Sequence, residues 1–562
     1  MASDGHPLPL CVAASRVRPP GPSGGPAEGG WRCRTRRLPQ SLGFVRWSTA
    51  GGEWSLRPAV VAAAAAIGVA EPYMSGLAGC GTLVLTPPDG PPRVLVFLGR
   101  APSGATPDRF TGGHPDAGPL TPAVPGNLAG WARALSDYGK LSLSHVLEPA
   151  IELAERGVPF TPFDDQMFSE SGSRLTPEGT ATYYHDGHIP AVGSLLAQPD
   201  LARTFRRIAA EGIGYLYGGS LGHAIDRLMR DRGGLLTEGD LRAYPETLRW
   251  TSPIHTTYRG VTVYAPPPPT SAVQALETLN ILDTFNVSEA GHLSPDHLAM
   301  VAEASRAARM DTDRYVGDPA FVDVPVARLL SPDHTGELRA EVDRRLREFQ
   351  VAGTPGGGVG AGGTAEGGGM ASTTHLAAAD ASGLAVNITH SLGHGFGSGV
   401  VVPGTGVCLN NAMHWFSMTP GHPNVVAPGK THEWPIAPLH LHRNGRFAGT
   451  IGTPGSYGIL VTTVQVLVHL LDFGLNLQDA IAAPRFRWVD DVGDPLPAQV
   501  MRMESRVPES TRSALAGRGY EIDLRGPWSM RVGGVQGILA DPLTGWLAGA
   551  ADPRRNGYAI GW

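Results

Sequence analysis

Thr373 stands where two very different kinds of sequence meet. Residues 353–369 (GTPGGGVGAGGTAEGGG) are dominated by glycine, a composition that behaves as a flexible linker and not as a packed element. Directly after it, Thr373, Thr374 and His375 open an alternating run to Asp380. Ala381–Gly383 supply a turn, and Leu384–Thr389 return as a second strand. The glycine run reads either as a tether between two domains or as the approach to an accessible cleavage site at the head of a β-hairpin. The other spacing with chemical content is His440 and His442, alternating on one strand. No carboxylate or cysteine nearby completes a ligand set for them, so no catalytic metal is expected. The four cysteines (Cys11, Cys33, Cys80, Cys408) lie far apart and form no CxxC pair, which argues against a disulfide framework and for a reducing compartment.

These residues need a scaffold, and the composition supplies material for one. Hydrophobic residues make up 42% of the 562, and the 75 glycines and 50 prolines call for many turns. Length alone suits three ordinary domains or one large two-layer core. A formal net charge of -6 without a Lys/Arg stripe excludes a nucleic-acid surface; Arg34, Arg36 and Arg37 read as a solvated arm. The apolar run 58–70 (PAVVAAAAAIGVA) is too short to span a membrane and reads as a buried helix. With no apolar h-region near the start, the expectation is a cytoplasmic protein without membrane contact.

Residues 1–57, rich in Pro, Gly and Arg, read as a poorly ordered arm. Residues 126–157 read as two helices joined by a turn, with Gly157 as a C-cap, and helical periodicity recurs over 200–230 and 293–311. Val261–Tyr264 reads as a strand before the break at 266–269. Further strands are expected over 400–409, 438–442 and 447–451, with helices over 458–473 and 477–483. Strand pairs flanked by helices imply an α/β protein of stacked sheets with helices outside.

An ordered set of motifs runs through this pattern. In the first half stand EPYMSGLAGCG (71–81), GLLTEGDLRAY (234–244), YRGVTVYAPPPPTS (258–271) and RYVGDPAFVDVP (314–325). In the second stand TTH (373–375), Asp380 with Gly383, FGSGVVVPGTG (396–406), LNN (409–411), PGHPN (420–424), GTPGS (452–456), LDFGLNLQDAIAAPRFRW (471–488) and ADPRR (551–555). In order and spacing, residues 58–562 resemble the γ-glutamyltransferase family of N-terminal-nucleophile (Ntn) hydrolases. The resemblance implies a four-layer αββα sandwich and autocleavage between Ser372 and Thr373. The products would be a large chain (1–372, its globular part 58–372) and a small chain (373–562), paired as a heterodimer that needs no cofactor and acts on a small molecule.

Carried over by position, the resemblance makes Thr373 the nucleophile. A hydroxyl needs a base beside it, and a freed Thr373 brings its own, an α-amine whose reference pKa of about 7.7–8.0 leaves a neutral fraction at physiological pH. Ser391 falls where the family has the nucleophile's hydroxyl partner, more often Thr. Thr374 supports the site, and the backbone N–H groups of Gly455 and Ser456 form the oxyanion hole, where Gly-Gly is more usual.

The γ-glutamyl pocket departs from the family. The positions that would accept hydrogen bonds from an α-ammonium are Gly393, Ala412 and Trp415, none of which offers a side-chain acceptor. The serine pair on the carboxylate side falls on Trp434 and Pro435. Arg100, within LGRAPSGATPDRF (98–110), matches the family's carboxylate-binding Arg. This pattern resembles the acylase-like branch and members assigned to antibiotic pathways. It implies an acyl or keto substrate with a carboxylate but no free amine, cut at a C–N or C–C bond. His390, His394 and His414 are expected to line or flank the altered pocket. A true γ-glutamyl transferase and a catalytically silent binding protein are the alternatives.

Purified protein is expected to run on a denaturing gel as chains of about 39 and about 20 kDa, by residue-mass arithmetic. Thr373→Ala should leave one uncut chain; a variant that still splits would remove Thr373 from the reaction.

Overall fold

A computed structural model describes residues 10–14, 56–111, 113, 116–351, 359–360, 371–488 and 499–561. Two sheets face each other. The first, of seven strands, runs Gly557–Gly561, Leu10–Ala14, Ala371–Ala379, Ala385–His394, Cys80–Thr86, Arg93–Phe97, Trp250–Thr251. The second, of six, runs Leu547–Ala551, Gln536–Ala540, Arg446–Gly452, Leu439–Arg443, Val261–Ala265, Ile254–Tyr258. Strands from both sides of the expected cleavage point contribute to each sheet, so neither half of the chain holds a complete core.

The facing surfaces of the sheets are unusually polar. Thr86 Oγ1 lies 2.7 Å from His440 Nδ1 and 3.3 Å from His442 Nε2, and Asn387 Nδ2 donates to Thr450 Oγ1 across the gap at 2.6 Å. The His440/His442 pair is therefore bridged by a threonine. Outside the first sheet, helices Leu56–Ala70, Asn127–Tyr138, Leu143–Arg156 and Pro199–Glu211 bury one large apolar cluster. Outside the second, helices Ala272–Asp283, Pro295–Tyr315 and Gly458–Leu471 bury another. The result is the four-layer αββα sandwich. Local signals explain the helix ends: the Ser142 side chain accepts from His145 N, and Gly157 closes the same helix at φ 82°.

The apolar run after Pro58 forms helix Leu56–Ala70, with Ala64, Ala65 and Val69 fully buried. Among the described residues no helix is long and apolar enough to cross a membrane. Cys80 and Cys408 are buried free thiols. Three expectations shift. Within the 1–57 arm, Leu10–Ala14 forms a strand parallel to Gly557–Gly561. Within the glycine run, Val359–Gly360 pairs in parallel with Ile522–Asp523; the rest of 353–369 lies outside the described residues. The hairpin strand begins at Ala371, because in the continuous chain Ala371 and Ser372 pair with His394 and Gly393 before Thr373 is reached.

The ADPRR motif closes the second sheet with buried charge. Asp552 Oδ2 meets Arg485 Nη2 at 2.5 Å, and Asp552 Oδ1 meets Arg554 Nη1 at 3.0 Å. Arg554 Nη2 meets Glu504 Oε2 at 2.6 Å, and all four side chains are fully buried. Burial alone would push the Asp552 carboxyl up, but Arg485 and Arg554 together outweigh it and hold the group below its ordinary value. A depressed folded-state value stabilises the fold at pH above the unfolded pKa, and that contribution is lost as pH falls through the folded value. Asp552→Asn leaves two guanidiniums short of a counter-charge and is expected to cost about 3–5 kcal/mol in chemical denaturation. An unchanged midpoint would show that the network contributes nothing net.

Candidate active site

The nucleophile candidate sits in the antiparallel hairpin Ala371–Ala379/Ala385–His394, turned by Asp380, whose Oδ1 accepts from Ser382 N, and by Gly383 at φ 86°. Thr373 pairs with Ser391, but Ser372 pairs with Gly393, so the register slips at Ser372/Thr373 and Leu392 bulges out. Alternation sends Leu376 and Ala378 to the helical layer and His375, Ala377 and Ala379 to the facing sheet. Thr373 shares the face of His375, and Thr374 shares the opposite one.

Thr373 Oγ1 donates to Ser391 Oγ at 3.1 Å, and Gly393 N donates to the same oxygen at 2.8 Å. Ser391 Oγ in turn donates to the carbonyl oxygen of Ser372, the residue before the expected cut. Thr373 is 3% exposed and Ser391 is fully buried. The bulge thus brings a hydroxyl, its partner hydroxyl and the peptide carbonyl between them into one contact.

Gly455 and Ser456 lie in the loop that leaves strand Arg446–Gly452 and enters helix Gly458–Leu471. Gly452 lies against the ring of His375, where a Cβ would collide with the imidazole, so the loop departs from the second sheet two residues along from Thr373. Thr453 Oγ1 braces it by accepting from Gly534 N at 2.9 Å. Gly455 has φ 138° and Ser456 φ 54°. Ser456 therefore holds a left-handed conformation that glycine adopts freely, at a cost of about 1–2 kcal/mol for a residue with a Cβ. The N-terminal end of the helix that follows favours negative charge.

The pocket positions carry no ammonium acceptor. Gly393, at φ 104°, has no room for a side chain, because Asn411 Oδ1 occupies the place of its Cβ while accepting from His394 N at 2.9 Å. Ala412 is fully buried at the start of the 3-10 turn Ala412–Trp415. Trp415 packs 6.0 Å from Trp434 and 5.9 Å from Tyr457, ring to ring, and its buried Nε1–H has no acceptor among the described residues. Behind them Tyr457 OH donates to Glu433 Oε2 at 2.5 Å, and Arg309 lies over the Tyr457 ring at 3.8 Å. Burial pushes Glu433 up to about 7, against the pull of Arg309 and Tyr457. His394 flanks Trp415 and binds Asp116 Oδ1 at 2.6 Å, with His414 Nδ1 3.8 Å from the same oxygen.

Two expected site residues lie apart from the hairpin hydroxyls. His390 faces the helical layer, 2.7 Å from Ser75 Oγ and edge-on to Trp131, since a strand residue adjacent to Ser391 must point the other way. Arg100 lines a cavity of about 730 Å³ with Tyr244, Pro267, Asp318 and Thr431; Thr373, Ser391, Gly455 and Ser456 are not among its walls. Arg100 does bridge Thr431 through its backbone, three residues before Trp434. Sequence reasoning missed Asn411, Glu433, Tyr457 and Arg309. Asn411 lies inside the motif LNN and Glu433 directly before Trp434, so both were legible there; Arg309 comes from a distant helix and left no local signal.

This geometry has counterparts. The gamma-glutamyltranspeptidase family matches residues 57–562. The chain is 36% identical over 518 residues to an acylase ACY 1 proenzyme of Pseudomonas sp. (strain SE83), covering 89% of this chain and 88% of the relative. It is 32% identical over 524 residues to the glutathione hydrolase proenzyme of Escherichia coli (strain K12), covering 88% and 86%. Its fold superposes on the crystal structure of cephalosporin acylase from Bacillus halodurans with a TM-score of 0.80 at 32% identity, covering 90% of this chain and 91% of that one. With a hairpin hydroxyl pair, a four-layer sandwich and a match over nearly its whole length, the chain belongs to the gamma-glutamyltranspeptidase family of Ntn hydrolases.

Proposed function

We propose that the protein cuts itself between Ser372 and Thr373 and then, as a two-chain enzyme, hydrolyses an amide whose acyl group bears a carboxylate but no free amine. The observation that carries this is the Ser391 hydroxyl, bonded at once to Thr373 Oγ1 and to the Ser372 carbonyl oxygen. Thr373 Oγ1 attacks the Ser372 carbonyl carbon while Ser391 polarises its oxygen. The Ser372–Thr373 C–N bond breaks with a proton going to the Thr373 nitrogen, and water hydrolyses the resulting ester. Thr373 is left with its hydroxyl and a free amine.

That amine then serves as base for the second reaction. Thr373 Oγ1 loses its proton to the amine and bonds to the substrate carbonyl carbon; the leaving amine takes the proton, and water releases the acid. The N–H groups of Gly455 and Ser456 hold the developing oxyanion, with Ser456 already in the strained conformation that such a turn requires.

The pocket's polarity supports the substrate class. Gly393 and Ala412 offer no acceptor, and Trp415 offers a donor without a partner. An α-ammonium buried there would go unpaired, at a cost of several kcal/mol, whereas a carbonyl or carboxylate oxygen would satisfy the indole N–H. Arg100 supplies the guanidinium for the far carboxylate, on the strand bridge to Thr431 that leads to Trp434.

Ser391→Ala is expected to slow the self-cut about 10²–10³-fold, and Ser391→Thr to preserve it, followed by the appearance of the small chain after translation. Equal rates in all three proteins would remove Ser391 from the chemistry.

Glutaryl and γ-glutamyl anilides differ only by the α-amine. The mature enzyme should turn over the glutaryl compound at least about tenfold better, and Arg100→Ala should raise its KM about tenfold or more with little change in kcat. Preference for the γ-glutamyl compound would identify a true γ-glutamyl enzyme. A cleaved protein that never forms an acyl adduct on Thr373 would identify a silent one.

A further inference from the structure

Away from Thr373, three helices of the outer layer bring one carboxylate or imidazole each to a single point. Glu277 comes from helix Ala272–Asp283, Asp311 from Pro295–Tyr315, and His334 from the first turn of Pro332–Val351. The ligand atoms of all three lie within 4.8 Å of one another. His334 Nε2 is 2.7 Å from Asp311 Oδ2 and 3.8 Å from Glu277 Oε1, while His334 Nδ1 is 2.9 Å from Glu337 Oε2.

We propose that Glu277, Asp311 and His334 form a binding site for one first-row divalent cation, of the zinc or manganese class. Glu277 carries the argument. It is 1% exposed, and neither carboxylate oxygen has a hydrogen-bond donor among the described residues. Among the described residues, the ion pairs of Glu277 and Asp311 are with His334 alone. A buried carboxyl group with no partner is costly in either protonation state.

The tautomer of His334 points the same way. Glu337 accepts only from an Nδ1–H, which leaves Nε2 facing two carboxylates. A second proton on Nε2 would satisfy Asp311 but leave Glu277 as it was. A cation at the centre satisfies the Nε2 lone pair and both carboxylates together. Glu337 then takes the role of the carboxylate that orients a metal-bound histidine through its other nitrogen. With bonds of about 2.0–2.2 Å, tetrahedral ligand atoms stand about 3.4 Å apart. The separations of 2.7 and 3.8 Å bracket that value, so small side-chain shifts close the site. An imidazole among the ligands favours zinc or manganese over calcium and magnesium, whose sites are built from oxygen.

The site has a structural consequence. Helix Pro332–Val351 is the last long element before the cut and becomes the end of the large chain once Thr373 is freed. A cation at His334 ties that helix to the two beneath it.

The test uses the full-length protein, stripped with chelator and dialysed. Crystals soaked in zinc chloride should show an anomalous peak between Glu277, Asp311 and His334. Calorimetric titration should give one equivalent that Glu277→Gln weakens at least about 100-fold and Glu337→Gln about 10–100-fold. A wild-type crystal with no peak at this point, or with zinc only at Asp116, His394 and His414, overturns the proposal, as does unchanged zinc affinity in Glu277→Gln. The diffraction arm needs no variant and so decides the question even if a substituted protein does not fold.

Discussion

A hydroxyl has one proton to give and two lone pairs to receive with, and at Ser391 all three are committed. The proton goes to the Ser372 carbonyl oxygen, and the lone pairs take Thr373 Oγ1–H and Gly393 N–H. The bulge at Leu392 sets Ser391 opposite Thr373 while Gly393 stands opposite Ser372, so the Ser391 oxygen lies beside the bond that joins those two residues. The site's geometry therefore rests on one extra residue in one strand.

The remainder of the sandwich holds that strand pair still. A purely apolar interface would draw the two sheets together on bulky side chains. Here the gap is filled by Asn387, Thr389, His375, Thr450 and His440, each fixed by a directional bond, and by glycine where a ring needs room, as at Gly452 against His375. Burial keeps the His375 imidazole neutral, holding it down at about 3, so no charge builds up two residues from the nucleophile. Polar contacts of this kind fix position more tightly than apolar packing, because each has a preferred length and direction.

Much of this was legible in the sequence because it is local. The hairpin, its Asp380/Gly383 turn and the helix cap at Gly157 follow from residues within about twenty positions of one another, while Ser391 as the partner of Thr373 came from the family resemblance. Long-range motif order carried the four layers. What the sequence could not express was direction and register. His390 looked like a pocket residue by its nearness to Ser391, yet strand alternation turns it outward. Ser372 looked like the last residue of a loop, yet in the uncut chain it is a strand residue with a partner. Arg309 and Glu433 meet around Tyr457 from elements more than a hundred residues apart, a contact that no spacing rule reports.

The departures from the family pattern are coupled. Filling the side-chain space of Gly393 with Asn411 Oδ1 requires glycine at φ 104°, and it also spends the Asn411 acceptor on His394 N. One lone pair of that oxygen is thus committed, and Trp415 Nε1, close to the same glycine, adds a donor beside it. Reversing the preference would accordingly take more than one substitution. A side chain restored at position 393 would displace Asn411, free the His394 backbone from its bond, and disturb the indole that stacks on Trp434 and Tyr457. The hydroxyl chemistry of the hairpin shares none of these contacts except the Gly393 N–H, which is a backbone group and survives any change of side chain that leaves the bulge intact. The proposed nucleophile and the proposed pocket thus meet at one residue but through different atoms, the Gly393 N–H on one side and the space of its absent Cβ on the other.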